Sequence, residues 1–315
     1  MKLSVPVRAP YSFARSLAFL RGFPPCRGEY LIDDDAITAA VTLDGRAVPF
    51  TIRGDLAVET DDPRIVERAA HFLGTEDDVN GFYAAAAGDP PMAQLVRNLH
   101  GLHHVRFLTL GEIAVYAVMM QRASIDRAAA LKRRFLARFG VPVAGEPRLR
   151  AWPELETLCD LEPRAIAEAI GHRPKAEQIA NVVRGVAAIG EDFLREAPYA
   201  DARDRLLAIP GVGPFSAGAI LLRGLGRMDE LPWLDNFERA ARAVYGAAVD
   251  PEAIRRRYGR HIGYWSYYVM VTGSRSPSVS ERSPRSRAAA SRTAPRPSRG
   301  TSRGPSSSRT ASRPA

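Results

Sequence analysis

The chain has 315 residues, 46% of them apolar, and a formal net charge of +9. That length suggests about two domains and that apolar fraction supports a packed core. No run of 18 apolar residues marks a membrane span, and two cysteines are too few for a disulfide framework. The charge is unevenly placed. Residues 273–315 hold ten Arg against one Glu, so residues 1–272 balance 34 basic with 34 acidic side chains. The folded body is therefore not basic overall, and a surface for an acidic partner has to come from local asymmetry. One such run is Arg122, Arg127, Lys132, Arg133, Arg134 and Arg138, which could equally be a solvated helix face. The opening MKLSVPVRAPYSF lacks the long apolar stretch of a secretory signal, and a cytoplasmic location is expected.

In chain order, residues 1–104 read as an α+β domain. A helix is expected near 13–20. The short alternating runs EYLIDD, AITAAVTLDG, VPFTIRG and LAVET, separated by Asp-Gly and Arg-Gly turns, predict a curved antiparallel sheet. Residues 62–75 and 89–101 are predicted helical. Residues 105–272 read as an all-α domain of about eight helices, punctuated at Gly140, Pro147, Pro153, Pro163, Gly171, Gly190 and Gly246. The tail, 273–315, is Ser, Arg and Pro repeated with almost no apolar content, so disorder is expected there. It reads either as a polycationic arm or as the product of a reading-frame shift, because the change after Val271-Thr272 is abrupt.

The chemistry concentrates in 204–246. Leu206, Leu207 and Ile209 predict one face of a short helix. Pro210-Gly211-Val212-Gly213 follows, and a second helix begins near Pro214 with Ala217, Ile220, Leu221 and Leu225 at three- and four-residue steps. Glycines permit a tight reversal, and the free N–H groups at the second helix start can hold a phosphate oxygen without reading bases. An ordinary helical corner would look the same. Asp235 opens a third helix as part of an Asp-x-x-Glu start signal. It reads both as an N-cap and as a charged carboxylate suited to stabilising a cationic sugar.

Helix, Pro-Gly-Val-Gly hairpin, helix and an aspartate about twenty residues past Phe215 together resemble the helix-hairpin-helix DNA glycosylase superfamily. The resemblance covers roughly 11–270 and is to the 3-methyladenine DNA glycosylase II branch. It is carried by YSFARSLAFLRGF (11–23), by Gln121 and Ser124 within 109–140, by Pro174-Lys175-Ala176 within 172–183, and by GYWSYYV (263–269). It implies a cleft between the two bodies and double-stranded DNA with a damaged base as partner. It also implies a monofunctional N-glycosylase of base-excision repair, acting as a monomer, that flips a damaged base, an alkylated purine above all. Asp235 would be catalytic. Ile209, Pro210, Gly211, Val212, Gly213 and Ser216 would hold the DNA phosphate. Phe215, Trp233, Tyr264, Trp265 and Tyr268 would build the base pocket, although singly each aromatic is more often core. Gln121 and Arg122 would fill the gap left by the flipped base.

The departures are informative. Phe215 stands where bifunctional members carry a lysine, and the lysines are Lys2, Lys132 and Lys175 alone, so no β-lyase activity is expected. Cys26 and Cys159 cannot bind an iron–sulfur cluster. Ala219 and Met270 occupy positions that supply stacking aromatics in the branch. No cofactor is expected to be required, neither zinc nor an iron–sulfur cluster. A monovalent cation (sodium or potassium) at the Ile209 and Val212 carbonyls follows from the resemblance only. His100, His103 and His104 read as surface or interdomain residues. Two other readings stay open: a glycosylase for another lesion (mismatched adenine, hypoxanthine or uracil), and a non-catalytic binder of DNA structure.

Overall fold

The computed structural model describes residues 1–273. Strands β1 (Lys2–Ser4), β2 (Leu31–Ile32), β3 (Ala36–Leu43), β4 (Arg46–Arg53) and β5 (Ala57–Thr60) form one antiparallel sheet in the order β1-β5-β4-β3-β2. The expected strands are present, and the short β1 adds an edge that no alternation announced. Along β4 the inward residues Val48, Phe50 and Ile52 alternate with more exposed ones, as a sheet with one covered face requires. They pack with Leu17, Leu20, Ile65 and Phe72 of α1 (Phe13–Gly22) and α2 (Ile65–Leu73). The helices expected at 62–75 and 89–101 form as α2 and α4 (Pro90–Asn98). Between them runs α3 (Asn80–Ala87), whose Ala-rich outer face gave little periodicity.

Among the described residues from Leu110 onward there are eleven α-helices where about eight were expected. They are α5 (Leu110–Met120), α6 (Ile125–Phe139), α7 (Leu155–Cys159), α8 (Pro163–Ile170), α9 (Arg173–Ile189), α10 (Glu191–Glu196), α11 (Tyr199–Leu207), α12 (Pro214–Ala219), α13 (Asp235–Tyr245), α14 (Pro251–Tyr258) and α15 (Ile262–Gly273). The surplus includes α7 and α10, too short to show a helical period. This region is also not purely helical. β6 (Val141–Val143) and β7 (Glu146–Ala151) make a hairpin that packs on β3, where Val41 pairs with Trp152 and Thr42 Oγ1 donates to the Trp152 carbonyl at 2.7 Å. That second cover explains why β3 is buried on both faces.

Helix α5 is buried along almost its whole length and forms the axis of the helical core, with α6, α9 and α12 around it. A helix covered all round loses amphipathic period, which is why LGEIAVYAVMM reads as uniformly apolar. A third cluster joins α3 and α4 to α13, α14 and α15, running across the boundary expected at residue 104. Lys132 is the exception in the expected basic run. It is fully buried, with its ammonium 2.5 Å from Glu29 and 2.6 Å from Glu112. Among the described residues no helix is long and apolar enough to cross a membrane. The expectation for the tail concerns residues outside the described ones, Gly273 excepted, which ends α15.

Candidate active site

The hairpin between α11 and α12 is anchored from within. Ile209 and Val212 turn their side chains into the helical core, while Pro210 and Gly211 are exposed. Leu206 is buried as expected, but Leu207 faces outward. Val212 N–H donates to the Ile209 carbonyl at 3.0 Å, closing the turn. Gly211 has φ +96°, and a Cβ there would lie 2.7 Å from Gln178 Cγ, so only glycine fits. Gly213 differs. Its φ is an ordinary −103°, and a Cβ would meet no protein atom within 4 Å. No protein contact therefore requires a glycine at this position. Directly after it, the first-turn N–H groups of Phe215 and Ser216 precede the first intrahelical i−4 bond, which Ala217 N–H makes to the Gly213 carbonyl at 3.0 Å.

Two glutamines clamp this turn. Gln121 Nε2 donates to the Gly211 carbonyl at 2.9 Å and to Ser216 Oγ at 3.0 Å. Gln178 Nε2 donates to Gln121 Oε1 at 2.7 Å and to the Gly211 carbonyl at 2.8 Å. Lys175 Nζ holds the end of α5 by donating to the Val118 and Gln121 carbonyls at 2.9 and 2.7 Å. Gln121 is thus a brace for the hairpin and not a free wedge, and the Ser216 hydroxyl is turned inward, 1% exposed. Arg122 is what projects. It is exposed and held at φ +50°, a left-handed conformation costing roughly 1–2 kcal/mol in a non-glycine residue. Gln178 escaped the sequence reading because a single glutamine on a long polar helix face carries no local signal.

Beside the hairpin lies a cavity of about 610 Å³, walled by α1, α5, α12, α15 and the loop before α13. Its aromatic walls are Phe19, Phe23, Phe107, Tyr116, Phe215, Phe237 and Tyr267. Of the five aromatics expected there, Phe215 alone lines it. Tyr264, Trp265 and Tyr268 are core side chains, 2%, 0% and 0% exposed. Their polar atoms are spent inside: Tyr264 Oη donates to Asp77 at 2.5 Å, Trp265 Nε1 to Tyr245 Oη at 3.0 Å, and Tyr268 Oη to the Leu102 carbonyl at 2.9 Å. Trp233 stacks on Trp265 at 5.5 Å and is half-buried away from the cavity. The face of α15 that does reach the cavity carries Tyr267, Met270 and Val271. That three-residue step was visible in the sequence but lost among the denser aromatics beside it. Ala219 and Met270, the two positions where stacking aromatics were expected from the resemblance, both line the cavity.

Asp235 is the first residue of α13, not its cap. Leu234 holds the N-cap position, without a side-chain cap bond, and Asp235 shares the first turn with Glu238. The expected capping box is therefore not formed. Among the described residues the Asp235 carboxylate joins no hydrogen bond or ion pair, and it is exposed while its neighbours Leu234 and Asn236 line the cavity. A carboxylate at a helix N-terminus, beside a cavity and free of structural partners, is available for chemistry. Charged groups on the cavity wall are Arg27 and Asp126, both exposed at its rim, and Arg223 within. His104 also lines it, is fully buried, which leaves only the interior half of the surface-or-interdomain expectation, and is held neutral far below its usual range by burial and by Arg223. His103, equally buried, has its ring nitrogens 2.6 and 2.8 Å from the carbonyl oxygens of Gly74 and Pro10. Among the described residues no three His, Cys, Asp or Glu side chains gather as a metal site.

No family model matches the chain. It is 28% identical over 283 residues to a probable bifunctional transcriptional activator/DNA repair enzyme AlkA of Mycobacterium tuberculosis, a match covering 85% of this chain and 55% of the relative. It is 27% identical over 165 residues to a DNA-3-methyladenine glycosylase of Bacillus subtilis, covering 51% and 54%. The chain thus spans about half the length of the curated relatives it matches. Its fold matches that of a 3-methyladenine DNA-glycosylase from Archaeoglobus fulgidus with a TM-score of 0.70 at 20% identity, over 86% of this chain and 97% of the other. The chain carries the fold of the helix-hairpin-helix DNA glycosylases, and its sequence relatives lie in their 3-methyladenine branch.

Proposed function

We propose that the chain is a monofunctional DNA N-glycosylase of base-excision repair, acting in the cytoplasm on double-stranded DNA that carries an alkylated base. The observation that carries this reading is the placement of an unpartnered carboxylate, Asp235, between two residues of an aromatic cavity wall. Helix α12, which follows the hairpin, lines the same cavity through Phe215 and Gly218. The names of the relatives above support it.

In the proposed reaction the hairpin backbone, bared at Gly213, grips the strand without reading it. The nucleotide is rotated out of the stack at a cost of a few kcal/mol, less for a damaged base. Arg122, projecting from its left-handed turn, enters the space left behind. The base lies among the aromatic walls, Phe215 included. As the C–N bond breaks, positive charge grows on the sugar, and the Asp235 carboxylate stabilises it while orienting or deprotonating the attacking water. Water is the second reactant, so no redox group or cofactor enters the scheme.

No lysine is placed to form a Schiff base. Lys132 is fully buried between two glutamates, Lys175 is spent on two carbonyls, and Lys2 is on the edge strand of the sheet. Strand cleavage is therefore excluded from the proposal. A monovalent cation at the Ile209 and Val212 carbonyls would steady the hairpin. The Ile209 oxygen already accepts Val212 N–H and keeps one lone pair for such an ion.

The test is base release from duplex DNA treated with a methylating agent, by the full chain and by Asp235→Asn. Release of methylated purines by the first alone, leaving abasic but uncut strands, is the expected result. Release by the Asn variant would remove Asp235 from the reaction. Binding of the duplex without release by either would leave a non-catalytic DNA binder.

A further inference from the structure

One group in the cavity has no place in that scheme. Arg223 lies in the π-helical turn Ile220–Gly224 that continues α12, where Leu225 N–H reaches back to the Ile220 carbonyl at 3.1 Å. Such wide turns cluster at functional sites. The backbone around it is fixed: the Arg223 carbonyl accepts Phe107 N–H at 2.9 Å, and a His71 ring nitrogen lies 2.8 Å from the Gly224 carbonyl. The guanidinium carbon sits 4.9 Å from the ring centre of Phe23, 5.4 Å from Phe19, and 5.8 Å from both Phe107 and Tyr267. Among the described residues it makes no ion pair and no side-chain hydrogen bond. All four rings line the cavity, as does Arg223 itself.

The consequence is electrostatic. An arginine stays charged in proteins and carries five N–H donors. Among the lining residues the rim charges, Arg27 and Asp126, cancel and His104 is neutral, which leaves Arg223 uncompensated on the wall, with the Asp235 carboxylate just outside the lining. A cationic alkylated purine would gain a cation–π term from these aromatic faces, but a fixed cation already occupies four of them. A second cation placed beside it is repelled in a medium of low dielectric. The half-buried guanidinium has no side-chain acceptor among the described residues, and a bound base that accepts from it supplies one.

We propose that Arg223 is a specificity-determining residue that extends the range of this cavity from alkylated bases to neutral purines presenting a carbonyl oxygen beside an unsubstituted ring nitrogen, and lowers its preference for cationic N-methylpurines. Hypoxanthine is the simplest such base. Its O6 and N7 match the two-pronged geometry that a guanidinium uses on purine edges. A purine methylated at N7 loses both advantages, by its charge and by the blocked nitrogen. The inference rests on the glycosylase reading above.

The test measures single-turnover release of hypoxanthine and of 7-methylguanine from otherwise identical duplexes by the wild-type chain, Arg223→Met and Arg223→Lys. Cationic bases leave DNA more readily without any catalyst, so the quantity that matters is the change in the ratio of the two rates on substitution. The Met variant removes both charge and fork, and shifts the ratio at least tenfold toward 7-methylguanine, by slowing the first and quickening the second. The Lys variant keeps the charge but loses the fork. It slows hypoxanthine release at least tenfold without quickening that of 7-methylguanine, and it carries the test if the Met variant melts early. Ratios within threefold of wild type in every folded variant overturn the inference and leave the glycosylase reading intact. No release of either base by the wild-type chain, nor of methylated purines from alkylated DNA, overturns both.

Discussion

Replacing Lys132 with Met is the sharpest test of how the cavity is supported. The ammonium is fully buried and bonded to Glu29 at 2.5 Å, Glu112 at 2.6 Å and the Pro25 carbonyl at 3.1 Å. It also lies 5.3 Å from the Phe107 ring and 5.9 Å from that of Tyr116, two walls of the cavity. Burial alone would discharge this lysine, but Glu112 and Glu29 more than offset that and raise its pKa. Methionine fills a similar volume, so little packing is lost. What remains is a pair of buried carboxylates without their cation, with Glu29 Oε1 already lacking a partner. Breaking a buried pair from one side costs about 3–5 kcal/mol, a large part of the roughly 5–15 kcal/mol that holds a typical domain together. At about 2–4 °C per kcal/mol for a body of this size, the melting temperature should fall by roughly 6–20 °C. Adding Glu29→Gln and Glu112→Gln to the Met variant should recover most of the loss, because the charges go with their partner. The assay is thermal or urea unfolding of the three proteins. A Lys132→Met protein melting within about 2 °C of wild type would refute the reasoning, as would a triple variant no better than the single one.

Two further outcomes follow from the same structure. Burial pushes Glu29 up to about 7 despite Lys132, with Glu112 adding to the rise. Its folded pKa lies above the unfolded value, so the stability it contributes is present at low pH and is lost as pH rises from the usual glutamate range through about 7. Glu29→Gln, which mimics the protonated group, should match wild type near pH 5 and exceed it near pH 8; equal differences at both values would contradict the assignment. Gly213→Val should leave the melting temperature within about 2 °C, since its side chain enters open space at an ordinary φ, yet weaken duplex binding at least tenfold by blocking approach to the hairpin. Unchanged affinity in a gel-shift titration would remove this face of the hairpin from the interface.

The hairpin was legible because its signal is local. Two glycines, a proline at the start of α12 and apolar residues at helical steps act within a dozen residues, and the structure keeps every one of them in the expected place except the outward Leu207. The sheet was legible for the same reason, since alternation and turn residues mark each strand. The β6–β7 hairpin was not. Its turn at Gly145 (φ +80°) is short and its strands owe their existence to β3, more than a hundred residues away. The buried Lys132 was read as one more charge of a basic face, because its two glutamates are 20 and 103 residues distant in sequence.

The aromatics of α15 show where sequence reasoning reaches its limit. Tyr264, Trp265, Tyr267 and Tyr268 are chemically interchangeable in a pattern, yet only Tyr267 faces the cavity. The difference is one of rotation. Tyr264 and Tyr268, four residues apart, share the face that meets Phe82 of α3, and Trp265 turns toward Trp233 and Tyr258. Tyr267 and Met270 share the remaining one. Each choice is fixed by a partner from another part of the chain, and no spacing within 263–269 encodes it. Arg223 is the same problem in reverse. In the sequence it is one arginine among 41 and sits inside an apolar helix, where the ordinary reading is a side chain reaching for solvent. Four rings, Phe19 of α1, Phe23 just after it, Phe107 before α5 and Tyr267 of α15, pack around the half-buried guanidinium instead. A charge that the fold surrounds with aromatics and gives no counter-ion either burdens the protein or is completed by what the cavity binds. The Arg223→Met variant separates the two: a pure burden, once removed, would stabilise the protein and leave the order of its substrates untouched.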